Sequence, residues 1–176
     1  MTLGYSNRYE VSPIVCWLLL CVILLVSVFL RFTNLNWDEG KWIHPDEAHM
    51  QQILSAIRLP DSLALYFDTA RSPLNVWTEG RTYSYGTLPL YLTRLVAEWL
   101  DRACGEPPDA LSRAAASLLV KSPDLQCTPG TFTVGYGKQI GRALSGLADL
   151  GTVLLVFLIG CRLYGERTGL RAAGLM

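Results

Sequence analysis

Residues 14–30, IVCWLLLCVILLVSVFL, form an apolar run without a single charged side chain. At 1.5 Å per residue a helix of that length reaches roughly 25 Å, close to the hydrocarbon thickness of a bilayer. A second run, residues 144–161, LSGLADLGTVLLVFLIGC, has similar length and one ionisable residue, Asp149. Apolar residues make up 51% of the 176 and are gathered into these two blocks, not spread at helical or strand periods. A chain of this size has too little other apolar surface to wrap two helices that are apolar all round. A cleaved signal sequence fits the first run poorly, because the run exceeds the usual h-region and passes through Val28, Phe29 and Leu30 into Arg31 without a small-residue cleavage pattern. The sequence therefore predicts an all-α membrane protein with transmembrane helices at 13–31 and 143–161. Residues 169–176, GLRAAGLM, read as the start of a third, so that the chain is expected to be a fragment of a larger polytopic fold.

Orientation follows from Lys and Arg near the span ends. Arg8 precedes the first span, and Arg162, Arg167 and Arg171 follow the second. These predict a cytoplasmic tail at 1–12, a cytoplasmic turn at 162–168 and an extracytoplasmic loop at 32–142. Arg31, Lys41, Lys138 and Arg142 lie on the other side, where long translocated loops weigh less in the rule. Fifteen basic and fifteen acidic residues leave no net charge, so no basic stripe argues for nucleic acid. Of the five cysteines, Cys16, Cys21 and Cys161 fall in or beside the spans. Cys104 and Cys127 fall in the loop, where they either stay as thiols or close a ring of about 24 residues.

A loop of about 110 residues is too long for a bare linker and suggests interfacial pieces. His44-Pro45-Asp46-Glu47 opens a helix expected at 45–59, with Pro at its first position, acids in its first turn and Leu59-Pro60 as its stop. A second amphipathic helix is expected at 88–103, with Leu92, Leu95, Val96, Trp99 and Leu100 opposite Arg94, Glu98 and Asp101, and a third at 110–120. Between the first two, SPLNVWTEGRTYSYG suggests an irregular arm or hairpin turning at Glu79-Gly80.

Acids beside the end of a membrane span are costly and tend to be kept for function. On a helix Asp46 falls in line with Met50, Ile53 and Ile57, at the edge of the apolar face. A carboxylate there can take a proton from an acceptor hydroxyl, as Asp46 or its neighbour Glu47 would; alternatively, both acids simply complement the helix dipole. His44 and His49 complete an H-x-D-E-x-H string without the spacing that puts two histidines on one helical face, so no metal site is assigned, although a divalent ion between acids and phosphate oxygens is compatible with it. Arg142 stands where the second span meets the loop and suits either a bidentate phosphate clamp or an interfacial anchor. Asp149, seven residues on, lies on the same helical face and is expected to pair with Arg142, Lys138 or a residue of a further helix.

The order of these features resembles the N-terminal part of the GT-C superfamily of polytopic glycosyltransferases. Its branches of dolichyl-phosphate-mannose protein mannosyltransferases and undecaprenyl-phosphate-sugar transferases are the ones it looks like. The resemblance is carried by Arg31-Phe32 through Asn34-Leu35, His44-Pro45-Asp46-Glu47, Tyr85-Gly86-Thr87-Leu88-Pro89-Leu90-Tyr91, and Gly141-Arg142-Ala143-Leu144-Ser145 followed by Asp149. Arg162-Leu163-Tyr164-Gly165 closes the second span. What it implies is inverting transfer of a sugar from a polyprenyl-phosphate carrier to an acceptor hydroxyl, protein glycosylation being one such use. Asp46 then acts as base with Glu47 beside it, and His44, Tyr85, Arg142 and Asp149 bind substrate. Such transferases have about a dozen spans, so this chain alone is expected to be inactive. The competing class is a non-catalytic membrane anchor or assembly subunit whose loop docks a partner.

Overall fold

The computed structural model describes residues 12–41, 43–78, 81–104, 114 and 130–176. Among them the regular structure is entirely helical, with no strand. The helices are α1 (Pro13–Phe32), α2 (Pro45–Ala56), α3 (Leu63–Phe67), α4 (Thr87–Cys104), α5 (Thr131–Gly135), α6 (Gly137–Tyr164) and α7 (Glu166–Gly174). Two compact units emerge: residues up to Thr33 together with Ser145–Met176, and Asn34–Leu144. The cytoplasmic tail expected at 1–12 lies outside the described residues except for Ser12, the helix expected at 110–120 except for Ala114. Cys127, the side chain of Cys104 and the Glu79-Gly80 turn also lie outside them.

In the first unit, α1 and α6 are 20 and 28 residues long and apolar enough to cross a membrane. Proline at the start of α1 costs no hydrogen bond, because the first N–H groups of a helix have no partner inside it. Cys16 and Leu20 of α1 pack on Val153 and Phe157 of α6 and Ala173 of α7. Phe32 sits against Gly146 while Trp17 meets the Phe157 ring edge-on at 5.8 Å, so α1 and α6 run antiparallel. Ile14, Leu18, Leu25 and Phe29 face outward, as a lipid-facing surface requires. Gly165, at φ +90°, turns the chain into α7. There Gly160 and Gly169 meet so closely that a Cβ on Gly160 would lie 2.7 Å from the Gly169 Cα.

The spans differ from expectation at one end. Helix α6 begins at Gly137, six residues before the expected 143, because the charges of Lys138 and Arg142 are neutralised by neighbours and do not stop the helix. Helix α7 begins at Glu166, ahead of the expected 169, since the left-handed Gly165 alone makes the break.

The second unit has two apolar centres. Ile53, Leu54 and Ile57 of α2 gather with Leu74, Val76, Tyr83 and Leu90. Ala97 and Leu100 of α4 gather with Phe132 of α5 and Ile140 of α6. Helix α2 stops at Ala56, three residues short of the expected 59, and Ile57 is extended. Residues 72–78 form successive turns, 81–86 carry no regular structure, and no hairpin appears among these described residues.

Helix α4 is amphipathic as its sequence suggests, but its charged side chains are paired inside the unit and Leu100 of its apolar stripe is buried. Arg94 is buried, donating to the Leu54 carbonyl at 2.8 Å and to Glu98 at 2.7 Å. Glu98 in turn accepts the Leu59 N–H at 3.1 Å, and Asp101 accepts the N–H groups of Phe132 and Thr133 at 2.8 and 3.1 Å. The charged face is turned inward because it satisfies the backbone ends of α2 and α5, which burial would otherwise leave unpaired. Leu88, Leu92, Leu95 and Trp99 are left on the outside.

Candidate functional site

Three short segments of the second unit build the site. Pro45 fixes the start of α2, so Asp46 and Glu47 occupy its first turn, where the helix dipole favours negative charge. The turn ahead of it bends through Asn34 and Glu39, at φ 61° and 48°, and Gly40, at φ 82°. That bend delivers Trp37 and Asp38 to the beginning of α6, where Lys138 and Arg142 lie one helical turn apart.

The charges there are closely matched. Lys138 Nζ lies 2.6 Å from Asp38 Oδ2, with side-chain exposures of 2% and 1%. Arg142 grips Glu47 with both arms of its fork, Nε to Oε1 at 2.8 Å and Nη2 to Oε2 at 2.5 Å. Its Nη1 donates to the Leu35 carbonyl at 2.7 Å and to Asp38 at 3.4 Å, and the guanidinium lies 5.1 Å over the Trp37 ring. Burial alone would push the Asp38 carboxyl up, but Lys138 and Arg142 outweigh it and hold Asp38 below the usual carboxylate range.

Asp46 is placed differently. Its side chain is 54% exposed, so it stands in the solvated first turn and not at the edge of the apolar face as its spacing with Ile53 suggested. Among the described residues the groups facing it are His44, at 3.9 Å, and Tyr85, whose phenol is pushed up by the neighbouring Asp46 carboxylate. Behind Tyr85 stands Tyr83, ring centroids 5.7 Å apart, and His49 stacks on Tyr83 at 6.3 Å. The two histidines of the H-x-D-E-x-H string thus serve different neighbours. No group of three or more His, Cys, Asp or Glu side chains converges on a metal position among the described residues.

Of the six residues singled out in the sequence, His44, Asp46 and Tyr85 come together at one edge, and Glu47 and Arg142 form a second group one residue along. Asp149 belongs to the first unit and pairs with Arg31 at 2.7 Å, not with Arg142 or Lys138. The cause is the antiparallel pairing of α1 and α6, which lays the end of α1 beside the second turn of the apolar stretch. Sequence reasoning missed Asp38 altogether. Its signal was available: an acid two residues before a glycine in N-W-D-E-G-K, a turn string shortly after the first span, with Lys138 standing ahead of the second.

Chemically, the group divides into a closed part and an open part. Of the five guanidinium N–H groups of Arg142, one on Nη2 is not engaged by Glu47, Leu35 or Asp38. Clamping a phosphate with both arms would require Glu47 to let go. Asp46 needs no such release to meet a hydroxyl. Comparison with family models, with curated proteins and with solved structures gave no match.

Proposed function

We propose that the chain is the N-terminal portion of an integral membrane glycosyltransferase of the GT-C type. It moves a sugar from a polyprenyl-phosphate carrier to an acceptor hydroxyl, with inversion. The observation that carries this is the sorting of two adjacent acids: Glu47 is locked by Arg142, whereas Asp46 is open, with His44 and Tyr85 as its neighbours. A general base must come within hydrogen-bond reach of the proton it removes, and of the two only Asp46 can do so without breaking the fork to Arg142. As the acceptor oxygen attacks the anomeric carbon, its proton passes to Asp46 while the bond between sugar and phosphate breaks and the carrier phosphate departs. Arg142 is a positioning residue, because its grip on Glu47 fixes the first turn of α2 and with it Asp46. His44 and Tyr85 line the acceptor side. Two spans, a cytoplasmic N-terminus and an extracytoplasmic loop would place this chemistry outside the cytoplasm, and the outward apolar stripe of α4 suits an interfacial position.

A second reading has its own support. Asp38, Lys138, Glu47 and Arg142 satisfy one another, as a latch in a non-catalytic anchor or assembly subunit would. One experiment separates the two. Membranes containing the complete protein are given a polyprenyl-phosphate sugar labelled at the anomeric carbon, and the product is examined for transferred label and inverted configuration. Inverted, labelled product supports the transferase. Its absence across mannosyl, glucosyl and aminosugar donors supports the anchor.

A further inference from the structure

An aromatic cavity of about 310 Å³ opens in the second unit, apart from the acids, and falls within the size range of small-ligand sites. Tyr66, Phe67, Trp77 and Tyr91 supply its walls, and Leu74 its floor joins the core that holds α2. The rings are held in place. Trp77 donates its indole N–H to the Tyr83 carbonyl at 3.2 Å, Tyr91 its hydroxyl to the Leu74 carbonyl at 3.0 Å, and Tyr66 meets Phe67 edge-on at 5.0 Å. Asn75 braces the rim, donating to the Thr69 carbonyl at 2.8 Å and accepting the Trp77 N–H at 2.9 Å. Yet Phe67 and Trp77 remain 74% and 60% exposed, so fixed apolar faces are presented to whatever enters.

We infer that this cavity is a subsite for a neutral saccharide, the acceptor glycan or the sugar of a glycosylated acceptor. None of the described residues lining it is charged, and the two charges of the adjoining turn, Asp68 and Arg71, pair with each other at 2.6 Å. A phosphorylated or acidic ligand therefore finds no counter-charge. An acyl chain would strip water from Thr69, Asn75 and the Tyr66 hydroxyl without replacing it. A pyranose meets both requirements: its C–H faces lie on aromatic rings, and its hydroxyls reach the Thr69 hydroxyl, the second amide hydrogen of Asn75 and the lone pairs of Tyr91.

The word acceptor rests on the transferase reading, but the binding itself does not, and the test keeps the two apart. Saturation-transfer NMR on the full chain in detergent, without any sugar donor, uses neutral di- to tetrasaccharides of mannose, glucose, galactose and N-acetylglucosamine, with a sialylated trisaccharide as the charged control. Saturable binding of at least one neutral sugar is expected, with contacts on ring C–H protons and none to the charged control. Trp77→Ala weakens it by about tenfold, an effect of the size aromatic contacts supply. Tyr66→Ala, at an exposed ring, guards against a folding defect and weakens binding in the same direction. Asp46→Asn leaves binding unchanged, so loss of transfer with intact binding bears on the base alone. No saturable binding by any neutral sugar, or binding that survives both aromatic substitutions, overturns the subsite while leaving the transferase untouched.

Discussion

Removing the Asp38 carboxylate is the sharpest perturbation of the fold that holds the site. Asp38 and Lys138 are 1% and 2% exposed and 2.6 Å apart, and Arg142 lies 3.4 Å from the other carboxylate oxygen. Truncating one partner of such a pair leaves the other cation facing a cavity in low dielectric, a loss of about 3–5 kcal/mol. For a chain of this length that corresponds to a fall in thermal midpoint of roughly 6–20 °C. The assay is intrinsic tryptophan fluorescence during thermal unfolding in detergent, comparing wild type, Asp38→Ala, Lys138→Met and the double variant Asp38→Leu/Lys138→Met. Replacing both charges by apolar groups removes the unpaired cation, so the double variant recovers to within about 1–2 kcal/mol of wild type. An Asp38→Ala midpoint close to wild type, or a double variant no better than the worse single one, would refute the reasoning.

Other consequences follow from the same geometry. Glu47→Gln weakens the fork to Arg142, and since Glu47 is 27% exposed the loss is discounted for solvent screening to about 1–2 kcal/mol, measured by the same melt. Gly160→Leu forces a side chain into the Gly169 backbone and costs about 1–3 kcal/mol of stability, read as a lower midpoint, with protease cleavage appearing near Gly165. Asp38 and Glu98 are both held below the usual carboxylate range; for Glu98, burial raises it but Arg94, the Leu59 N–H and Arg102 outweigh that. A carboxyl with a depressed folded value binds its proton less readily folded than unfolded. Its stabilisation is therefore complete above the unfolded value, about 4, and is lost as pH falls through the folded value. Melting midpoints should be flat from pH 7 to 5 with respect to these groups and fall below pH 4, and a midpoint that rises on acidification contradicts the assignment.

Much of the fold was legible because its driving force is composition. The runs at 14–30 and 144–161 are long and apolar enough to cross a membrane by length and composition alone, and Pro45 with its two acids marks the start of α2 without reference to anything distant. What could not be read is where charges find partners across the chain. Arg94, Glu98 and Asp101 look like a solvated face in any helical projection, and only the backbone ends of α2 and α5, supplied by packing, turn them inward. The same limit hid Asp38, whose partner is a hundred residues away, and left Arg31 out of the partners considered for Asp149. For the site, the grouping of His44, Asp46 and Glu47 lay in four consecutive residues. The division of labour between the two acids depends on Arg142 choosing Glu47, a geometric fact that spacing does not contain.

The account turns on Asp46 as the open carboxylate and Glu47 as the locked one. The most direct measurement is sugar transfer from a polyprenyl-phosphate donor by membranes carrying the complete protein with Asp46→Asn, with abundance and thermal midpoint determined on the same preparation. Transfer should fall to background while abundance and midpoint stay at wild-type values. Near-normal turnover in that variant would contradict the account.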